Sequence, residues 1–268
     1  MCLIAFAIGA SERWPLVVAA NRDEFLDRPT LPLAHWTGEA GTEIISGRDV
    51  RAGGTWMGLS PAGRIAMLTN VRGPDSLTGE KSRGELVTRW LESSADAAAF
   101  MAGIDGPAYG GFNLVLGDVN NGAWHWLSNQ PGPGLESRAL QPGVYGLSNG
   151  ALDTPWPKTL GLKKALHSAL SAASDQTLEQ ELMAALRDRR RAGREDLPST
   201  GVPLALEEAL SSAFVDFPEH GYGTRCSTVL VASAMLVGWD IALQEVTHAH
   251  RADEVPSTQT VRLHWPVR

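Results

Sequence analysis

The chain opens on an apolar run, Cys2 to Ile8, breaks into the polar segment 10–15, and resumes as a second apolar run over 16–20. Two strand-length apolar runs around a polar turn predict an antiparallel hairpin. If residues 9 and 16 face each other across that turn, Cys2 lies opposite Asp23 and Arg22 alternates onto the other face. Further strands are predicted over 53–59 and 64–69, joined by Pro61-Ala62-Gly63. Others are predicted over 112–116 and 123–127 around the hairpin signal Asn121-Gly122, over 144–147, and over 227–231, 237–243 and 261–265.

The apolar spacing changes to a helical period in three places. Ser82 and Glu85 have the spacing of a capping box ahead of Leu86, Val87, Trp90 and Leu91, and the alanine-rich stretch to Met101 continues that helical layer. Asp153 or Thr154 can cap a helix running through Leu160, Leu162 and Leu166, and residues 178–186 repeat the pattern. Strands, then helices, then strands imply a layered α+β fold. No composition break, internal repeat or linker divides the 268 residues, so one domain over 1–268 is expected.

Charge narrows the partners. A net charge of -7 argues against a nucleic-acid surface, which needs clustered Lys and Arg. The one basic run, 187–194, is broken by Asp188 and followed by Glu195 and Asp196, as in a solvated loop. The apolar start lacks a basic flank and meets Asn21-Arg22-Asp23-Glu24 too soon for a membrane span. With Cys2 and Cys226 as its only cysteines, the chain is expected to keep free thiols in the cytoplasm.

A cysteine directly after the initiator methionine suggests a specific chemistry. Methionine removal would leave an α-amine beside the residue's own thiol, and their ordinary pKa values of about 7.7–8.0 and about 8.5 allow one to take the other's proton. Asp23 can hold the ammonium form of that amine, and Asn21 and Arg22 are candidate substrate-binding groups. Asn70 and Asn149 each end an apolar strand, where an amide N–H can meet a developing oxyanion. Arg225 opens an apolar strand and, near Cys2, would favour thiolate or bind a substrate anion. Alternation then turns Cys226 from that face and disfavours a Cys2–Cys226 disulfide. His220 is a candidate ligand-binding residue; the remaining histidines show no metal spacing and no CxxCH motif is present.

Taken together, MCLIAFA at the start, AANRDEF at 19–25, GGTWMGLS at 53–60, AMLTN at 66–70, SRGELV at 82–87, YGGFNLVLGD at 109–118, YGLSNGALDTPWPK at 145–158 and GTRCSTVLV at 223–231 resemble the NRDE family, that of transport and Golgi organisation protein 2. More distantly, their order is similar to that of the choloylglycine hydrolases and penicillin V acylases. The resemblance implies the four-layer αββα sandwich of N-terminal-nucleophile hydrolases and amide hydrolysis or acyl transfer on a small substrate. It assigns catalytic roles to Cys2, Asp23, Asn70, Asn149 and Arg225. One departure stands out: those amidases carry an arginine three residues before the aspartate, where this chain has Ala20. The family also brings an alternative, a non-catalytic carrier binding haem or an acyl-coenzyme A in the same pocket. No cofactor is required on the first reading, and haem is a possible ligand on the second.

Overall fold

Strands β1 (Cys2–Ile8) and β2 (Leu16–Phe25) form the expected hairpin, and both are buried on two sides, which explains why their sequences are nearly continuous apolar runs. The computed structural model describes residues 2–74, 79–132, 134–250 and 254–266. After the hairpin come β3 (Thr30–Thr37), β4 (Glu43–Asp49), β5 (Met57–Leu59) and β6 (Arg64–Asn70). Helices α1 (Gly84–Glu92) and α2 (Ala97–Ala102) follow, then β7 (Phe112–Asp118), β8 (Ala123–Ser128), β9 (Glu136–Ala139) and β10 (Gly143–Leu147). The second half contains α3 (Pro157–Ala169), α4 (Asp175–Leu186), α5 (Leu204–Ala209), β11 (Asp216–Phe217), β12 (Tyr222–Ala234), β13 (Trp239–Thr247) and β14 (Ser257–Trp265).

The strands make two antiparallel sheets. One has the order β10-β1-β2-β12-β13-β14, with β11 on β12; the other runs β3 to β9 in chain order. Three apolar cores separate four layers. Ile4, Phe6, Leu16 and Val18 meet Ile45, Leu59, Ile65 and Met67 between the sheets. The alternate residues Leu3, Ala5, Val17 and Ala19 pack on Leu162 and Leu166 of α3 and Leu178 and Leu182 of α4. On the far side, Ala66, Leu68 and Leu114 pack on Leu86, Val87 and Trp90 of α1 and on Phe100 of α2. The fold is therefore the αββα sandwich. Each fully buried Leu, Ile or Phe in these cores contributes about 1.5–3 kcal/mol.

Several local expectations change. Ser82 does not cap α1: Arg83 holds that position with no side-chain cap, and Glu85 accepts instead from the Tyr109 hydroxyl at 2.5 Å. Nor do Asp153 and Thr154 cap α3, whose N-cap is Trp156. Asp153, at φ 61°, spends Oδ1 on the Gly146 N–H and the Lys163 ammonium. The Asn121-Gly122 hairpin forms, with Gly122 at φ 61°. In the basic run, Arg190 pairs with Asp188 and Arg189 with Asp216. Among the described residues no helix is long and apolar enough to cross a membrane.

Candidate active site

The site begins with a register. Gly9 adopts φ 56° and donates to the Pro15 carbonyl at 2.8 Å, so Ile8 pairs with Leu16 and Cys2 with Arg22. That is one residue away from the pairing the sequence suggested. Because strand side chains alternate, the slip exchanges faces: Arg22 shares the inter-sheet side with Cys2, and Asp23 is the next residue along. Asp23 stays at the site, 1% exposed, where its Oδ1 accepts from Thr224 Oγ1 at 2.7 Å and its carbonyl accepts from the Tyr222 hydroxyl at 2.8 Å.

A bulge in β12 then corrects the reading of Arg225. Thr224 pairs with Asp23 but Cys226 pairs with Arg22, so residue 225 is extruded from the ladder. The Arg225 guanidinium donates from Nη1 to the carbonyls of Phe25, Leu26 and Arg28, at 2.9–3.0 Å, and ties down the end of β2. It is absent from the wall of the cleft that holds Cys2. The same bulge carries Cys226 to the inter-sheet core with Cys2, contrary to simple alternation, and Arg22 stands between the two. Cysteines two strands apart are separated by about 9–10 Å, beyond disulfide reach. Both thiols are free.

Cys2 opens onto a cleft of about 580 Å³, a size suited to a small-molecule ligand. Its wall includes Arg22, Asp23 and Glu24 at the end of β2, Asp49 at the end of β4 and Arg51 after it, Trp56, Leu68 and Asn70, and the segment 79–84. An ionic network lines one side. Arg22 lies 3.5 Å from Asp49 and 3.6 Å from Glu24, and Arg28 reaches the same carboxylates at 2.5 and 3.8 Å. Opposite them Arg83 donates to the Gly111 carbonyl at 3.1 Å. Burial pushes the Cys2 thiol up, with Asp23 acting in the same direction and Arg22 against it. Burial also raises the Asp23 carboxyl, and Lys158 is the chief charge opposing that rise.

The asparagines divide. Asn70 lines the cleft, and among the described residues its side-chain amide makes no hydrogen bond. Asn149 is wholly buried behind it: Nδ2 donates to the Asn70 carbonyl at 2.9 Å, and Oδ1 accepts from Ser148 Oγ at 3.2 Å and Arg72 Nη2 at 3.5 Å. Asn149 thereby joins the end of β10 in one sheet to the end of β6 in the other. Ser148 Oγ also donates to the Cys2 carbonyl at 3.1 Å. Asn21 points to the helical layer, where Nδ2 donates to the Leu186 and Ala213 carbonyls, both at 2.8 Å. His220 lies outside the cleft, its ring stacked 3.9 Å from that of Phe217.

Arg28, Asp49, Arg51, Lys81 and Arg83 border the cleft without having been singled out in the sequence. Lys158, Arg72 and Glu207 lie behind it, and the Arg72–Glu207 pair is almost fully buried. Among the described residues the cleft lining contains no histidine. Among the described residues no group of three His, Cys, Asp or Glu is placed to hold a metal ion.

Similar proteins agree with the fold. An ortholog of N-acylethanolamine-hydrolyzing acid amidase from Caenorhabditis elegans superposes with a TM-score of 0.52 at 12% identity, over 86% of this chain and 92% of that one. At that identity the likeness concerns the N-terminal-nucleophile hydrolase fold alone. The transport and Golgi organization protein 2 homolog of Homo sapiens is 32% identical over 254 residues, 87% of this chain and 89% of its own length. The Drosophila melanogaster protein of that name is 28% identical over 257 residues, 87% of this chain and 88% of its own. Residues 1–236 match the family model described as Transport and Golgi organisation 2. With motifs, fold and relatives in agreement, the chain belongs to the Transport and Golgi organisation 2 family.

Proposed function

We propose that the cleft carries out amide hydrolysis or acyl transfer with Cys2 as nucleophile. The observation that carries this reading is the placement of Cys2 at the end of β1, opening on the cleft with Asp23 beside it. The thiol is not activated by its surroundings, since burial raises it. A local proton acceptor is needed, and the α-amine of a Cys2 freed from Met1 supplies one. The thiol proton passes to this amine as sulfur bonds to the substrate carbonyl carbon. The amide C–N bond then breaks, the leaving nitrogen takes the proton, and a thioester remains. Water or a second acceptor amine or alcohol cleaves the thioester and restores the thiol.

Asn70 is the better oxyanion donor of the two asparagines, because its amide faces the cleft uncommitted while Asn149 holds the Asn70 backbone in place. Glu24 and Asp49 are engaged by Arg22 and Arg28, and Arg51 and Lys81 add positive charge to the wall, beside Glu80. That wall favours an acyl or amide substrate bearing a carboxylate or phosphate.

The test is a panel of acyl p-nitroanilides, neutral and carboxylate-bearing, with nitroaniline release and intact mass recorded together. The expected results are a transient acyl adduct on Cys2, preference for the carboxylate series, and loss of both in Cys2→Ala and in protein carrying an N-terminal extension. Turnover that survives both changes refutes the mechanism. A carrier for an acyl-coenzyme A remains the second reading, favoured by the same cationic wall; stoichiometric binding of an acyl-coenzyme A by Cys2→Ala without turnover in the parent protein would select it.

A further inference from the structure

Trp56 stands between two cavities. It precedes β5, its carbonyl accepts the Leu68 N–H at 2.8 Å, and its side chain is buried between the sheets in the same core as Cys2. It lines the Cys2 cleft and also a smaller chamber of about 170 Å³, and among the described residues it is the one residue common to both walls. The strand register sets how near the two lie. Arg22 pairs with Cys2 on one side and with Cys226 on the other, and Cys226 belongs to the chamber wall. That part of the wall is therefore about 9–10 Å from Cys2.

The chamber suits hydrocarbon, because its strongly polar groups are already engaged. Thr30 Oγ1 accepts from Arg22 at 3.1 Å, Arg225 donates to the carbonyls of Phe25, Leu26 and Arg28, and Glu245 accepts the Leu33 N–H at 2.8 Å. Leu31, Pro32, Gly47, Cys226 and Trp56 supply most of the remaining wall, with Thr247 of β13 and Ser257 of β14 completing it. An apolar cavity of about 150 Å³ takes up a molecule the size of benzene. The indole N–H of Trp56 makes no hydrogen bond among the described residues, so packing alone holds the ring and its removal strands no polar partner.

We propose that Trp56 is a specificity-determining residue of the Cys2 cleft: its indole closes off the chamber and so sets the upper length of the hydrocarbon chain that a carboxylate- or amide-bearing ligand can bury. This rests on the reading of the cleft as a site for acyl groups, and not on the nucleophilic role of Cys2. With the indole in place, an acyl chain whose carbonyl lies at the thiol ends against the ring. Without it, the chain gains room for about six further carbons.

The experiment is isothermal titration calorimetry of the full-length Cys2→Ala protein, in which no covalent step intervenes, with straight-chain carboxylates from butanoate to tetradecanoate. Affinity is expected to rise about fourfold per added methylene up to a limiting length and then to level off. Adding Trp56→Ala should move that limit out by about four to six carbons. Adding Thr247→Leu as well, which grows a larger apolar side chain into the chamber from a half-buried position on β13, should move it back. Should Trp56→Ala not fold, Trp56→Leu takes its place, with an expected shift of at least about two carbons. An unmoved limit, a shift that Thr247→Leu leaves in place, or no binding at any length overturns the proposal. Turnover of the amide panel is read separately in proteins that retain Cys2. A moved limit without turnover removes the nucleophile alone, and turnover with an unmoved limit removes Trp56 alone.

Discussion

Replacing Arg72 by methionine isolates the buried ion pair behind the cleft. The side chains of Arg72 and Glu207 are 3% and 2% exposed. Without the guanidinium, Glu207 retains the Thr200 N–H and hydroxyl on its other oxygen but no opposing charge on the first. Stranding one member of such a pair costs about 3–5 kcal/mol. For a chain of this length that corresponds to roughly 2 °C per kcal/mol, a drop of roughly 6–10 °C in Tm. Removing both charges in Arg72→Met/Glu207→Gln leaves no stranded charge and keeps an acceptor for Thr200, and the double variant should recover at least about 2 kcal/mol relative to the sum of the singles. Urea denaturation of the four proteins closes the cycle. A loss under about 1 kcal/mol in Arg72→Met, or additivity within about 0.5 kcal/mol, refutes the argument.

Other expectations are simpler to check. Gly54→Ala sets a Cβ 2.6 Å from the Gly84 carbonyl carbon, so it should cost about 1–3 kcal/mol and shift α1 at the cleft wall, seen as a changed Kd for any cleft ligand. Gly161→Ala, in open space on α3, should instead stabilise by about 0.5–1 kcal/mol in the same urea assay. Burial lowers His248 from 6.5 to about 4. Within that window the unfolded chain takes a proton that the folded state refuses, so stability falls as pH drops from 6.5 to about 4. The ring is only partly buried, which discounts the effect to about 1–2 kcal/mol, and His248→Asn should flatten that slope. Arg22→Met removes the cation beside Cys2 that opposes the rise of its thiol; iodoacetamide should then alkylate Cys2 more slowly below the thiol's midpoint, and an unchanged rate would rule out that contribution of Arg22.

The layered fold was readable because two-sided burial leaves long apolar strands and helical spacing leaves Leu and Trp stripes. Strands β3 and β4 were not, since β3 has one fully buried position, Leu33, and its other side chains meet solvent to some degree. Site geometry was harder for a physical reason: single-residue irregularities decide faces. A left-handed Gly9 moved the hairpin register by one, and the bulge at Arg225 reversed both Arg225 and Cys226. Residue types therefore pointed to the correct neighbourhood for Cys2, Asp23 and Asn70 while misplacing the direction of Arg22 and Arg225. Asn21 and Asn149 were legible as polar strand ends, but their amides are taken up by backbone carbonyls. Lys158 had a signal that went unused, a cation in the first turn of a helix entered through Trp156-Pro157, where an acidic residue is the ordinary choice.

The layer that buries Cys2 is closed by the far end of the chain. Trp265, fully buried on β14, donates Nε1 to the Ser60 carbonyl at 3.0 Å and so fastens one sheet to the other. A polypeptide still leaving the ribosome has the first hairpin long before this fastening exists. The inter-sheet core around Ile4 and Phe6 is accordingly completed only when β14 docks, whereas the hairpin that carries the thiol pairs two adjacent segments of chain.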